Sequence, residues 1–451
     1  MHSVNKQNIL SQIIIKQLCF IVLFLSSTSS LLQADENNSL SADKRGSVIR
    51  EVAEVIDSNY FDADKAHKIS KELLNDLSAG KYNDIKDSNM LAAEMTKTLS
   101  KHDKHFNMRF TGGQEQQRVR QRSHASNESD PYAALRRRNF GYSEVKLLPG
   151  NVGYIKLNEF ADIQGAIETA IGALKFIENT DAVVFDLREN TGGAPSMVQF
   201  LISHFLPSGG ETLINTFVSR DREYPREMWS LNTHPVGNRP EVPLYILTSG
   251  STGSAGEAFP YHLKAMGRGT VVGETTYGAG NPGHPFALDG ENYSLFISTG
   301  GARNPITHTN WEGTGAIPNI DVSAELALDT ALVDIYKKLG ESNEDPIQKM
   351  SLDWATELLS IKLNPVVLSE KDMQRYQGVF GSRKVYVENG ELLYQREGAS
   401  VLHLVPLGND RFAFSESDNY RIVIKADTNG KAETMTLHIS DGQVINNPKA
   451  S

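Results

Sequence analysis

The segment Val242–Gly280, VPLYILTSGSTGSAGEAFPYHLKAMGRGTVVGETTYGAG, decides how the chain is read. Leu244 to Leu247 is a short apolar run of the length and composition of a buried strand. Ser, Thr and Gly follow, then helical spacing at Ala258, Tyr261, Leu263 and Ala265 that stops at Gly267. A second apolar run, Thr270 to Val272, closes a strand–turn–helix–strand unit. Ser254 lies where the turn enters the helix, beside backbone N–H groups that a helix start leaves unbonded. Two uses fit that position. Ser254 and Glu257 spell the S-x-x-E capping box, in which serine only satisfies helix N–H groups; alternatively, the exposed hydroxyl is a nucleophile.

Outward from this segment, apolar strands and helices alternate. Val145–Leu148 and Val152–Leu157 are split by the turn Pro149-Gly150-Asn151. A helix is expected from about Ile163 to Glu178, with Ile167, Ile171, Leu174 and Ile177 on one stripe. Ala182–Leu187 is another continuous apolar strand, ending in Arg188-Glu189-Asn190-Thr191-Gly192-Gly193, and a helix follows from Ser196 to about Phe205. A further helix is expected from about Ala324 to Leu339, and a connecting helix from Leu352 to Leu359. This order predicts an α/β core with partly parallel strands.

On either side the pattern changes. Between Ser47 and Leu99 about three amphipathic helices are expected, ending in LSKHDKHFNMRF, where Phe106, Met108 and Phe110 alternate as in a strand. Residues 112–139 are polar and read as a solvated linker. From Tyr376 onward short alternating strands dominate, beginning with a hairpin that turns at Asn389-Gly390. The expected organisation is a signal peptide (1–34), an N-terminal helical domain (35–111), a linker (112–139), an α/β core (140–340), a connecting segment (341–370) and a C-terminal all-β domain (371–451).

At 451 residues the chain is too long for one ordinary core. Lys6 and Lys16 precede the apolar stretch Leu18–Leu25, and small polar residues run to Ala34, as in a cleaved secretion signal. The predicted location is therefore periplasmic or extracellular, with no membrane span once the signal is removed. That removal takes the formal charge from −10 to −12, which argues against nucleic acid as a partner. The single cysteine, Cys19, falls in the signal, so disulfide and thiolate chemistry are not expected. No zinc, phosphate or cofactor motif occurs, so neither metal nor cofactor is expected.

A nucleophilic serine needs a base. His262 and Lys264 lie roughly 12–15 Å along the helix from Ser254 and cannot reach it, so any base comes from elsewhere in the chain. At this point a family resemblance enters. GNVGYIKLNEF (150–160), VFDLRENTGG (184–193), LTSGSTGSAGE (247–257), VGETTYG (272–278) and WEGTGAIPNIDV (311–322) resemble, in the same order, motifs of the tail-specific or C-terminal processing serine peptidases. That family also includes the tricorn core protease and interphotoreceptor retinoid-binding protein. The helices before residue 100 and the DKHF sequence resemble the branch without a PDZ domain.

The resemblance implies a crotonase-like, ββα-type core and Ser254 as nucleophile. The lysine base of the tail-specific T-x-G-K-G motif is replaced by Ala279. The tricorn-like alternative implies His105 as base and Glu312 as its orienting carboxylate, with Gly193 and Ala255 supplying oxyanion N–H groups and Gly192 and Thr276 meeting the substrate. His105 at a strand edge and Glu312 in a turn also have purely structural readings. The expected activity is hydrolysis of peptide bonds in an extended or unfolded chain, and homo-oligomerisation is compatible with it. Two rivals share the scaffold: a non-catalytic binder of apolar ligands, and an esterase or amidase acting on small substrates.

Overall fold

The computed structural model describes residues 38–112, 130–290, 292–428 and 430–449. The expected signal peptide and most of the expected linker lie outside them. In chain order the main elements are α1 (Ala42–Asn59), α2 (Ala63–Ser78), α3 (Ser88–Leu99), β1 (Asn107–Phe110), β2 (Tyr142–Leu148), β3 (Val152–Leu157), α4 (Ile163–Phe176), β4 (Ala182–Asp186) and α5 (Pro195–His204). Then come β5 (Leu213–Val218), β6 (Arg226–Trp229), β7 (Leu244–Thr248), α6 (Ala255–Ala265), β8 (Thr270–Gly273), β9 (Gly283–Leu288), β10 (Tyr293–Ser298), β11 (Gly301–Arg303), β12 (Ile320–Asp321), α7 (Ala327–Ser342) and α8 (Pro346–Leu363). Eight further strands, β13–β20, occupy Gly378 to Pro448. Among the described residues no helix is long and apolar enough to cross a membrane.

The chain forms two compact units, each discontinuous in sequence. The first gathers residues up to 133 with 213–228 and 278–313. Its three helices start where the sequence supplies acceptors for otherwise unbonded N–H groups: Ser41, Asp62 and Asp87 accept from Lys44, Lys65 and Met90. Val48, Ile49, Val52 and Ile56 of α1 form a buried stripe. They share one core with Leu91 and Met95 of α3, Phe106, and Leu295 and Ile297 of β10. β1 lies antiparallel on β10, Asn107 opposite Phe296, and β9 completes that sheet. A segment from the middle of the chain thus supplies the sheet against which the N-terminal helices bury their apolar faces.

The second unit holds a six-stranded sheet in the order β12-β8-β7-β4-β3-β2. All its pairs are parallel except β2–β3, whose short turn permits only an antiparallel hairpin. β4 and β7 are buried along their whole lengths, which explains their unbroken apolar sequences. α7 packs on one face through Ala327, Ala331, Leu332 and Ile335, against Tyr154, Val184 and Tyr245. The same unit contains β13–β20, an eight-stranded antiparallel sheet in sequential order with its own core around Phe380, Phe412 and Ile422. The mixed α/β fold with N-terminal helices and a C-terminal all-β region agrees with the sequence reading.

Candidate active site

In the second unit the loops after β4 and β7 leave the same edge of the sheet, because the two strands are parallel neighbours. Asn190, fully buried, ties the loops together. Its side-chain amide donates to Leu157 O at 2.8 Å, its side-chain oxygen accepts the Gly192 N–H at 2.9 Å, and its carbonyl accepts the Gly253 N–H at 3.0 Å. Gly192 and Gly193 have φ of +123° and +136°. A Cβ on Gly192 would come within 2.8 Å of Ser254 Cβ, and one on Gly193 within 2.1 Å of Phe160 O. Only glycine lets this loop pass so close to the serine turn.

Ser254 itself has φ +53° and ψ −120°, a conformation that costs a non-glycine residue about 1–3 kcal/mol. The surroundings hold it there. Glu257, with no exposed surface, accepts the Ser254 N–H at 2.7 Å and the Thr276 hydroxyl at 2.5 Å. Thr276 Oγ1 in turn accepts the Ala316 N–H at 2.6 Å. The S-x-x-E pair is therefore a structural clamp on the backbone of the turn, and the Thr276 hydroxyl is taken up by Glu257. Among the described residues the N–H groups of Gly193 and Ala255 have no hydrogen-bond acceptor; they flank Ser254 on the two loops. α6 begins at Ala255, so its positive end adds to the potential at that point.

His105 and Glu312 belong to the first unit. One side-chain ligand atom each from Asp103, His105 and Glu312 lies within 4.8 Å of the others. Glu312 accepts the backbone N–H groups of Lys104 and Gly280, each at 2.7 Å. Asp103, 1% exposed, accepts the Tyr60 hydroxyl at 3.0 Å, the Asn281 side-chain amide at 2.9 Å and the His105 backbone N–H at 2.8 Å. The imidazole stacks on the Phe296 ring, centroids 5.4 Å apart.

Burial lowers the His105 pKa below the ordinary imidazole value, and the negative charge of Asp103 opposes that shift. Glu312 is raised above the usual carboxylate value by burial and by Asp103, while the two backbone N–H groups pull it back. A neutral imidazole beside one buried and one half-buried carboxylate can accept a proton and have the resulting cation stabilised. Two carboxylates and an imidazole are also a possible metal donor set, but N–H and O–H donors already occupy these carboxylates, as in a proton-handling cluster. Ala279, at the position of the family's lysine, is buried, and its carbonyl accepts the Trp311 indole N–H at 2.8 Å.

The structure thus brings Ser254 together with Gly192, Gly193, Ala255 and Thr276 in one unit, and His105 with Glu312 in the other. Sequence reading missed Asp103, Asn190 and Asn281. Asp103 had a visible signal, lying two residues before His105 in DKHF; the asparagines had none, because their partners are distant in sequence.

Residues 151–322 match the family model of Peptidase family S41. The chain is 28% identical over 192 residues to the chloroplastic carboxyl-terminal-processing peptidase 3 of Arabidopsis thaliana, covering 42% of this chain and 35% of that protein. It is 32% identical over 135 residues to a carboxyl-terminal-processing protease of Synechocystis sp., covering 29% of each. The chain spans about a third of the length of the curated relatives it matches. A solved structure titled photosystem II D1 C-terminal processing protease aligns with a TM-score of 0.40 at 14% identity, over 62% of this chain and 94% of that one. The family model and the curated relatives agree with the peptidase-family resemblance drawn from the motifs.

Proposed function

We propose that the protein is a serine-type peptidase that cleaves peptide bonds in extended or unfolded chains through an acyl-enzyme, with Ser254, His105 and Glu312 as the catalytic set. The observation that carries this reading is the serine turn: a strained Ser254 between two unbonded N–H groups, of Gly193 and Ala255. A helix cap requires neither the strain nor the second loop. In the proposed reaction His105 takes the proton from Ser254 Oγ as the oxygen bonds to the scissile carbonyl carbon. The carbonyl oxygen gains negative charge facing the two N–H groups. Collapse of this intermediate breaks the C–N bond, and His105 returns the proton to the leaving amine. Water, deprotonated by the same imidazole, then frees the acyl group and regenerates Ser254. Glu312 orients the imidazole and stabilises its charged form, and Gly192 borders the substrate. Names of the matched relatives support peptide or protein substrates, and the charged-then-apolar N-terminus supports export.

The decisive experiment is covalent labelling with a fluorophosphonate probe together with turnover of an unfolded protein such as reduced casein. Wild-type labelling that is lost in Ser254→Ala and reduced in His105→Ala supports the assignment. Labelling unchanged by Ser254→Ala sinks it. Labelling without cleavage of any peptide, but with cleavage of small esters, moves the protein to the esterases.

A further inference from the structure

The residue whose environment the Ser–His–Glu set leaves unexplained is Asp103. It is a carboxylate with 1% exposure, which is costly unless every lone pair is used. The fold uses them with three donors from three parts of the first unit: the Tyr60 hydroxyl just beyond α1, the Asn281 amide and the His105 backbone N–H. Behind this contact layer, Asn310 donates to Asn281 Oδ1 at 3.0 Å, and the Asn310 side-chain oxygen accepts the Glu312 backbone N–H at 2.9 Å. One continuous chain of hydrogen bonds therefore runs Tyr60–Asp103–Asn281–Asn310–Glu312. It ties the backbone that carries the base to the backbone that carries the base's orienting carboxylate. A structural aspartate capping a turn needs only the His105 N–H; the additional buried donors fix the carboxylate in place beside the imidazole and Glu312.

We propose that Asp103 is a positioning residue of the catalytic set: clamped by Tyr60 and Asn281, it fixes the Asp103–His105 turn and supplies a second negative charge that stabilises the imidazolium. This rests on the assignment of His105 as base. Two carboxylates then share one cation, a division of labour in which Glu312 is held by backbone N–H groups and Asp103 by two side chains and the His105 N–H. The groups facing this cluster are Glu312, Tyr60, Asp62 and Lys65; the last donates to His102 O at 2.6 Å. Lys65 is the only cation among them, so the formal charge of the group is negative and a protonated His105 is attracted to it.

The test uses full-length protein and has two arms. In the first, the His105 imidazole is titrated by NMR in a Ser254→Ala background, which does not depend on catalysis. Asp103→Asn keeps the shape, removes the charge and is expected to lower the His105 pKa by about one unit, since an opposite charge at this distance shifts pKa by about 1–3. Asn281→Ala and Tyr60→Phe each keep the charge and are expected to leave that pKa within a few tenths. In the second arm, with Ser254 intact, Asp103→Asn should lower kcat by about 10- to 100-fold with KM changed less than twofold, and move the acid limb of kcat/KM to lower pH by the shift seen in the first arm. Tyr60→Phe and Asn281→Ala should lower kcat by about three- to tenfold without moving the limb. An unshifted titration in Asp103→Asn, or equal shifts in all three variants, overturns the proposal. A shifted titration with no Ser254-dependent turnover retains the electrostatic role and instead rejects the peptidase assignment. If Asp103→Asn fails to fold, Tyr60→Phe and Asn281→Ala decide: unchanged kcat in both overturns the positioning role.

Discussion

The serine turn and the histidine cluster solve one problem, holding a side chain still, by opposite means. Around Ser254 the backbone does the work. Two glycines at positive φ admit the neighbouring loop, and a carboxylate pins the serine's own N–H. Around His105 the backbone is ordinary and the side chains do the work, with one buried and one half-buried carboxylate that between them collect five hydrogen bonds. The first design tolerates almost no added atom. The second tolerates shape-conserving change but not loss of charge. Volume should therefore be the sensitive variable in one unit, and charge in the other.

The largest effect is expected from Gly193→Ala. Its methyl group would meet Phe160 O at 2.1 Å from a φ of +136°, so the loop must move and withdraw the proposed oxyanion donor. Losing one such donor costs about 10²–10³ in kcat, and the displaced loop adds a measurable fall in melting temperature. Normal turnover by this variant would remove Gly193 from the site. Next comes Glu312→Gln, which is nearly isosteric: about a 10²-fold loss in kcat with a melting temperature within about 2 °C of wild type. If stability falls as far as in Gly193→Ala, the contrast between volume and charge is wrong. Thr276→Val should be milder, about tenfold in the rate of fluorophosphonate labelling, because it removes the hydroxyl donor from the buried Glu257. That lost donor should also cost about 1–3 kcal/mol in denaturant unfolding.

A pH profile sharpens the same comparison. Because burial holds His105 below the ordinary imidazole pKa of about 6.5, the proposed base stays neutral, and the acid limb of kcat/KM should fall below pH 6.5. A limb above 6.5 would contradict the described environment. The smallest effect concerns stability. His262 and His204 are fully buried, with pKa values pushed down by burial to about 3 and about 4. A depressed histidine binds its proton more readily in the unfolded chain, so stability is complete above about pH 6.5 and declines as pH falls toward those folded values. Each residue contributes a slope of about 1.4 kcal/mol per pH unit. Replacing His262 with Leu should flatten the urea-measured slope between pH 6 and 4 by about one proton; an unchanged slope refutes the assignment.

Much of the serine half could be read from the sequence, because its determinants are local. The strand–turn–helix rhythm of Val242–Gly280 and the two glycines after Asn190 describe backbone geometry, which short stretches encode. The capping box was legible too, but its meaning was not: Glu257 does bind the Ser254 N–H, and this fixes a strained turn rather than merely starting a helix. The histidine half was reached only through resemblance to a family. Nothing near His105 specifies Glu312, whose contact with Lys104 spans 208 positions. Asp103 was overlooked because aspartates before turns are common and its burial depends on Asn281. The assignment of 213–228 and 278–313 to the helical unit was equally hidden, since alternating strands do not reveal which apolar face they will cover.

The interrupted course of the first unit has a consequence for the order of events during synthesis. A nascent chain that has reached Tyr277 already contains Gly193, Ser254, Glu257 and Thr276. It lacks β10, the partner of β1, and it lacks Glu312 and Asn281. The helices made first must wait, with part of their common core missing, for strands translated nearly two hundred residues later. Each doubling of the intervening length adds only about 0.6 kcal/mol of closure cost, so the wait affects rate far more than final stability. The residues of the serine turn are thus made before those of the histidine cluster are complete. Between Tyr277 and Glu312 the nascent chain holds the residues of the serine turn but not yet all of the histidine cluster, an interval set by the order of its segments.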